Sequence, residues 1–200
     1  MKRLLSIILA AGLLMGLAAC AMTVGTPDGR IESAISLQED VVKNKPDFAA
    51  SGTGITEEEL KNAKLGAQFT YYGFDREGNV ISSNGRIAPY WYNGHIVATF
   101  SAAYDLETGQ VLGSTFGKTH AKELNEVLTS TELDLSRGVV IGGGQNREFA
   151  TDGIHILMWP AVGNPNMFID DPLSDEEMQA LCGTIWENAT DRFYGIDPAK

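Results

Sequence analysis

Four short polar turns divide the middle of the chain into strand-length segments, and this pattern limits the possible folds more than any other feature. The turns lie at residues 75–79, 84–85, 93–94 and 105–109. Asn93 and Gly94 give the strongest hairpin signal, because Asn-Gly accepts the positive φ angles of a two-residue type I′ turn. The segments between the turns are rich in aromatic and β-branched residues, which favour extended backbone. We therefore predict an antiparallel β-meander over residues 69–116.

Amphipathic helices are predicted before and after this meander in the sequence. Capping boxes, in which a hydroxyl caps the helix and a Glu reaches back, mark two helix starts: Thr56 with Glu59, and Ser174 with Glu177. Together with apolar residues at helical spacing, they predict helices at residues 31–45, 56–65, 118–128 and 174–188.

Two more strands are expected after the meander, at residues 138–141 and 154–159, with the glycine run 142–144 as a loop between them. The predicted class is α+β, an antiparallel β-meander sheet with amphipathic helices packed against it. A single domain is expected to span residues 31–200.

The first 20 residues have the layout of an export signal. Lys2 and Arg3 precede an apolar run over residues 4–16, and Leu-Ala-Ala-Cys follows at residues 17–20. A charged start, a hydrophobic centre and small residues at a cleavage site are typical of a signal peptide. The apolar run is shorter than the roughly 20 residues of a membrane-spanning helix. The segment that ends at Cys20 resembles the lipobox of bacterial lipoproteins.

This resemblance implies that residues 1–19 are a lipoprotein signal peptide and that Cys20 carries lipid after cleavage. Because two or more acyl chains hold a protein stably on a membrane, the lipid on Cys20 makes the membrane a partner. The protein is then expected in the cell envelope, outside the cytoplasm. Residues 20–30 are expected to form a tether between lipid and domain. Ordinary secretion and a retained anchor are the alternatives.

The charge of the chain argues against a nucleic-acid partner. The sequence has 15 basic and 26 acidic residues, a formal charge of −11. Removal of residues 1–19 takes away Lys2 and Arg3, which leaves 13 basic residues and a charge of −13. Phosphate backbones are bound by Lys and Arg, so this balance excludes nucleic acid as an expected partner.

Three motifs suggest chemistry, and each has a simpler structural interpretation. Residues 113–119 (Gly-Ser-Thr-Phe-Gly-Lys-Thr) resemble a phosphate-binding P-loop, but three residues instead of four separate the glycines. Cys182 lies in the middle of a predicted apolar helix stripe, which indicates a buried structural thiol. The acidic residues between 170 and 177 favour the helix dipole without an ion. We expect no cofactor and no metal.

The histidines and the glycine run are the best candidates for catalysis. His95, His120 and His155 lack metal-ligand spacing. His155 is expected on an apolar strand, as a core or edge residue satisfied by hydrogen bonds. The glycines at 142–144 offer backbone N–H groups to an oxyanion. An extracytoplasmic hydrolase with an unrecognised site, built on His120, His155 and the glycine run, is therefore one functional hypothesis.

Three consecutive aromatic residues are the best candidates for binding. Alternation along a strand sends Tyr90 and Tyr92 to one face and Trp91 to the other. One set is expected in the core, and the other is expected to form an exposed aromatic ridge. Such a ridge is typical of surfaces that bind a protein, a peptide or a glycan.

A further resemblance concerns residues 104–112 (Tyr-Asp-Leu-Glu-Thr-Gly-Gln-Val-Leu). They resemble the final hairpin of PepSY-type domains, in which a helix also precedes the sheet. The resemblance implies a role in inhibiting or chaperoning envelope proteases. Our first hypothesis is thus a non-enzymatic, lipid-tethered binding protein. A hydrolase and a structural or assembly component of an envelope complex are the alternatives.

Overall fold

The computed structural model describes residues 27–105, 108, 111–161 and 171–195. These residues divide into two compact units, which are described separately below. The first unit takes the described residues of 27–67 and 86–121, and the second takes those of 68–85 and 122–196. The elements are helices and strands of a mixed sheet, so the predicted α+β class is confirmed.

The first unit joins helices to antiparallel strands. Its elements are α1 (Pro27–Asn44), α2 (Pro46–Ala50), α3 (Glu57–Asn62), β1 (Lys64–Leu65), the second half of β3 (Val80–Tyr92), β4 (His95–Tyr104) and β5 (Val111–Gly117). The hydrogen-bonding order is β5-β4-β3, and β1 pairs antiparallel with β3. Among the described residues, β5 is therefore the last strand on this side.

One apolar cluster forms the core of the first unit. Ile31 and Ile35 from α1 are a helical turn apart, and they pack in one cluster with Leu60 from α3. Tyr90 from β3 and Phe100 from β4 complete the cluster from the sheet. The helices thus cover the sheet face that carries these aromatic rings.

The second unit contains a mixed sheet and helices that pack with it. Its elements are β2 (Phe69–Phe74), the first half of β3, α4 (Ala121–Thr129, apart from its first residue), a 3₁₀ helix (Leu135–Arg137), β6 (Val140–Gly144), β7 (Arg147–Thr151), β8 (Ile156–Pro160) and α5 (Asp175–Asn188). The hydrogen-bonding order is β3-β2-β6-β7-β8. β2 and β6 are parallel, whereas β6, β7 and β8 are antiparallel to one another in turn.

The parallel pair corrects the predicted meander. In a purely antiparallel meander each strand pairs with the next one in the chain, but Tyr71 of β2 pairs with Ile141 of β6. Parallel strands need a long crossover connection, and here that connection includes β3, β4, β5 and α4. Tyr72, Phe149 and Met178 lie in one apolar cluster, which packs β2 and β7 against α5.

The predicted turn at Asn93 and Gly94 is confirmed. β3 ends at Tyr92, β4 begins at His95, and the two turn residues have φ angles of 50° and 78°. Both values lie in the left-handed region that a type I′ turn requires.

The predicted turn at residues 84–85 is wrong. β3 continues without interruption through both residues. A Cβ on Gly85 would lie 3.0 Å from both the Cβ and the carbonyl oxygen of Tyr71. Glycine here therefore accommodates the close approach of a neighbouring strand and does not mark a turn.

The predicted loop at residues 142–144 is also wrong, because these glycines lie in β6. A Cβ on Gly142 would lie 2.7 Å from the carbonyl oxygen of Tyr72, so the absence of side chains allows β6 to approach β2. The turn lies one step later, at Gln145 and Asn146, with φ angles of 54° and 63°. Strand β7, which follows this turn, was not predicted.

Both capping boxes are confirmed, with Glu59 and Glu177 each reaching back to its cap residue. Helix α3 ends at Asn62 and not near Leu65, because Lys64 and Leu65 pair with β3 instead. Helix α4 begins at Ala121, three residues later than predicted. Helix α1 begins at Pro27, inside the predicted tether, and residues 20–26 lie outside the described residues.

Candidate functional site

The polar face of β4 in the first unit carries the candidate site. Side chains alternate along a strand, so Thr99 and Ser101 share one face while Phe100 points to the other. Phe100 is 5% exposed and lies in the apolar cluster, which fixes the direction of its two neighbours. The segment Thr99-Phe100-Ser101 therefore presents two hydroxyl groups on the side away from the helices.

The turn after β5 is held against this face. Thr99, which is buried, donates a hydrogen bond from its hydroxyl to the carbonyl oxygen of Thr119. Within the turn, the N–H of Ala121 donates to the carbonyl oxygen of Lys118 at 3.0 Å. The turn ends in His120, whose φ of 64° lies in the left-handed region. This conformation costs a non-glycine residue about 1–2 kcal/mol, so the surrounding contacts must stabilise it.

The result is a direct contact between a serine and a histidine. Ser101 Oγ lies 3.2 Å from His120 Nδ1, which is hydrogen-bonding distance, and both side chains are half-buried. Thr115 of β5 pairs with Ser101 across the strands, and its side chain is exposed. A hydroxyl in contact with an imidazole is the arrangement that activates a serine as a nucleophile, because the imidazole accepts its proton.

The other candidate histidine, His155, lies in the second unit, in the loop between β7 and β8. Its side chain is 54% exposed, and its Nδ1 lies 3.5 Å from Asp152 Oδ2. The expectation that His155 lies on a strand is wrong, because β8 begins only at Ile156. Its carbonyl oxygen accepts a hydrogen bond of 2.6 Å from the Thr151 hydroxyl, which closes the loop.

Asp152 organises this loop through backbone hydrogen bonds. Its carboxylate accepts 2.8 Å hydrogen bonds from the N–H groups of Asp134, Ile154 and His155, and the residue is fully buried. Burial alone would raise the pKa of this carboxyl, but these hydrogen bonds outweigh it and hold the pKa below its ordinary value. The carboxylate is therefore ionised and already engaged by the loop.

The remaining thiol candidate is structural. Cys182 is 6% exposed, as predicted for a thiol on the apolar stripe of α5. Its Sγ donates a hydrogen bond of 3.3 Å to the carbonyl oxygen of Ile154. Burial raises the pKa of the thiol, which disfavours the reactive thiolate.

The aromatic run is placed differently from the predicted exposed ridge. Tyr90 is 1% exposed and Trp91 is 2% exposed, so neither forms an exposed surface. Tyr92 is half-buried and packs against the apolar cluster of the first unit. Burial raises the pKa of Tyr90, whose ring meets Phe116 edge-on at 5.4 Å between centroids. Both faces of β3 are covered at these positions.

The other sequence motifs resolve into ordinary structure. Residues 113–117 of the P-loop-like segment are extended in β5, so they cannot wrap around a phosphate. Glu177 caps α5, Asp175 pairs with Arg147, and Asp171 pairs with Arg76 at 3.2 Å. Asp170 and Cys20 lie outside the described residues. His95 is exposed at the start of β4.

No group of three or more His, Cys, Asp or Glu side chains is gathered in a way that would hold a metal ion, as far as the described ranges extend. Within the same ranges, no helix combines the length and the apolar character needed to cross a membrane.

Sequence reasoning singled out His120 but missed its partner Ser101, and it missed Thr99, which bonds the carbonyl oxygen of the preceding Thr119. The available signal was the pattern hydroxyl, aromatic, hydroxyl on a strand predicted to pair with β5, because His120 follows the end of β5 by three residues. Sequence reasoning also missed a polar pair in the second unit, formed by the half-buried Tyr71 and the buried Glu148. There, Glu148 is 6% exposed, and burial together with a hydrogen bond to Glu148 raises the pKa of Tyr71.

Comparisons with protein-family models, with curated proteins and with solved structures find no significant match to this chain.

Proposed function

We propose that this protein is a lipid-tethered component of the bacterial cell envelope, anchored through Cys20. The proposal is supported by the order of Lys2 and Arg3, the apolar run, and Leu-Ala-Ala-Cys at residues 17–20. Lipid would leave the described body, which begins at Pro27, close to a membrane surface and outside the cytoplasm.

Metabolic labelling with an alkyne fatty acid tests the anchor. Cells that express the full chain are expected to give a labelled band in the membrane fraction, smaller than the precursor. Cys20→Ser should abolish the label and leave the precursor uncleaved. Cys182→Ser should keep both the label and the cleavage, because the buried Cys182 is not a lipidation site. Label that persists in Cys20→Ser would contradict the proposal.

For the body, we propose a binding role in which β5 accepts an extended segment of a partner protein. β5 is last in the hydrogen-bonding order, and its segment Val-Leu-Gly-Ser-Thr-Phe-Gly has no charge and no proline. Natural edge strands are usually protected by charges, prolines or short length. An edge strand without such protection supports recognition by strand addition, where main-chain hydrogen bonds supply affinity. This is the observation on which the binding role depends.

Affinity capture with a charged edge variant tests the binding role. Gly113 is exposed, and a Cβ placed there meets no heavy atom within 4 Å, so Gly113→Lys adds a charge to the edge without a clash. The lipidated wild type, expressed at native level and solubilised mildly, is expected to retain a specific protein. Gly113→Lys should lose at least about 90% of it, because a lysine protects an edge strand from pairing.

A matched control separates edge blocking from a general effect of charge. Thr131→Lys makes the same change in charge at an exposed residue outside β5, and it should capture as much partner as the wild type. Equal capture by all three proteins would refute binding at β5. Equal loss by both lysine variants would show that charge, and not the strand edge, controls binding.

A further inference from the structure

We propose that Ser101 and His120 form a nucleophile and base that hydrolyse carboxylic esters. This activity goes beyond the binding role and does not depend on it. The contact of 3.2 Å between Ser101 Oγ and His120 Nδ1 is the geometry in which the imidazole takes the serine proton. The left-handed φ of His120 supports the assignment, because strained backbone of this kind concentrates at functional sites.

The surroundings are built to hold the pair together. Thr99 is 1% exposed and its hydroxyl donates to the carbonyl oxygen of Thr119, the residue directly before His120. Thr99 and Ser101 leave the same face of β4, so one strand fixes both the nucleophile and the turn that carries the base. Thr99 is thus a positioning residue, which acts through the backbone of the turn.

In the first half of the reaction, Ser101 Oγ attacks the carbonyl carbon of the ester while its proton moves to His120 Nδ1. The π electrons of the carbonyl group move onto its oxygen. When the carbonyl re-forms, the bond from carbon to the alkoxy oxygen breaks, and the departing alcohol takes the proton from His120. The products are an acyl group on Ser101 and a free alcohol.

In the second half, water attacks the acyl carbon and gives one proton to His120 Nδ1. The bond between the acyl carbon and Ser101 Oγ then breaks, and Ser101 recovers its proton from His120. The net reaction consumes one ester and one water and yields one carboxylic acid and one alcohol, with no change in oxidation state.

Thr115 completes the site as a hydrogen-bond donor. It pairs with Ser101 across β4 and β5, and directly opposed residues on one sheet face have Cβ atoms about 4.5–5.5 Å apart. From that position its exposed hydroxyl donates to the oxygen on which charge develops, as in an oxyanion hole. The substrate class is thus an ester whose carbonyl group reaches the exposed edge of this hairpin.

A fluorophosphonate probe and p-nitrophenyl acetate test the assignment on the full chain in membranes. The wild type is expected to be labelled on the peptide that contains Ser101, as located by mass spectrometry, and to release p-nitrophenol above the background. Ser101→Ala should abolish the label, and His120→Gln should slow labelling at least about 100-fold, because the general base is lost. Ser114→Ala, one residue from Thr115 in β5, should label as the wild type does.

Thr99 provides the test that a merely structural residue would fail. Thr99→Val should slow labelling about tenfold or more, and Thr99→Ser, which keeps the hydroxyl, should restore it. Label on a residue other than Ser101, equal labelling of Ser101→Ala, or neither label nor ester hydrolysis by the wild type would overturn the proposal. Thermal unfolding of each variant shows whether a loss of labelling reflects a loss of fold.

Discussion

His120 in the first unit and His155 in the second unit both meet a polar side chain, but their partners differ in what else they hold. The partner of His155 is a buried carboxylate that accepts three backbone N–H groups at 2.8 Å. The partner of His120 is the half-buried hydroxyl of Ser101, on a strand face that also carries Thr99. A contact between a histidine and a polar group therefore has a different meaning in each unit.

The difference shows how to separate a structural from a chemical histidine contact. Asp152 would be needed by its loop even without His155, because three backbone N–H groups would otherwise lose their acceptor. The contact of Ser101 with His120 is not needed to hold the turn that ends in His120. That turn is held by the Thr99 hydroxyl and by its own backbone hydrogen bond. We therefore expect that loss of Asp152 lowers the stability of the second unit, whereas loss of Ser101 lowers the reactivity of the first unit.

The largest expected effect is on the stability of the second unit. Asp152→Ala should lower the free energy of unfolding by about 3 kcal/mol, because hydrogen bonds to a charged acceptor contribute about 1.5–3 kcal/mol and buried donors are left unpaired. Urea denaturation measures the change. Asp75→Ala is the matched control, since Asp75 accepts N–H groups from Glu77 and Asn79 in an exposed turn, and this variant should lose much less stability than Asp152→Ala.

An equal loss in His155→Ala would break the comparison, because it would mean that the histidine and not the backbone depends on Asp152. We expect that variant to change stability by less than about 0.5 kcal/mol, as for an exposed side chain.

The same carboxylate predicts an acid limb of stability. The pKa of Asp152 is held below its ordinary value of 3.8, so the folded state favours the ionised form. A carboxyl with a lowered folded-state pKa contributes stability that is fully present above the unfolded value. This contribution disappears as the pH falls through the folded-state value. The urea concentration at the midpoint of unfolding of the wild type should therefore decrease at pH values below about 4.

Asp152→Asn removes the titration and should flatten that part of the pH profile, whereas His155→Ala should keep it. An unchanged acid limb in Asp152→Asn would assign the effect to the other carboxyls with lowered pKa values, Glu59, Asp75 and Glu177.

The predictable part of the fold is the part set by neighbours in sequence. The capping box of Thr56 and Glu59 and the hairpin turn at Asn93 and Gly94 need only a few residues each, and both are present. The parallel pairing of Tyr71 with Ile141 was missed, since it depends on contacts between segments far apart in the chain. Gly85 was misassigned because a glycine that admits a neighbouring strand looks, in sequence, like a turn glycine.

Only one residue of the candidate pair was predictable from the sequence, because the contact between the two residues depends on segments that are separated in the chain. His120 is visible as a residue type, but its contact with Ser101 depends on the register of β4 and β5. That register pairs Thr99 with Gly117 and shifts at Ala103 and Tyr104. A slip of one residue would turn the hydroxyl groups to the other face of the sheet. The predicted turn at residues 105–109 joins these two strands, but it does not reveal the shift in register at Ala103 and Tyr104.

A smaller effect is expected at Thr99, and it tests whether the first unit also depends on a buried polar contact. Thr99→Val keeps the shape of the side chain but removes the donor to Thr119, so stability should fall by about 1–2 kcal/mol. Thr99→Ser should recover most of the hydrogen bond and lose about a methyl group of burial. A loss as large as that of Asp152→Ala would remove the contrast between the two units.

The smallest effect concerns the backbone of the two histidines, and here the changes in stability on substitution by glycine should differ. His120 has a φ of 64°, so His120→Gly relieves about 1–2 kcal/mol of strain, which offsets the greater flexibility of glycine in the unfolded chain. Its free energy of unfolding should stay within about 0.5 kcal/mol of the wild type or rise.

His155 has no positive φ, so His155→Gly should lose about 0.5–1 kcal/mol. Urea denaturation of the two variants side by side measures the difference. A larger loss in His120→Gly than in His155→Gly would mean that the imidazole of His120 stabilises the turn, and its contact with Ser101 would then be structural, as the contact of His155 with Asp152 is.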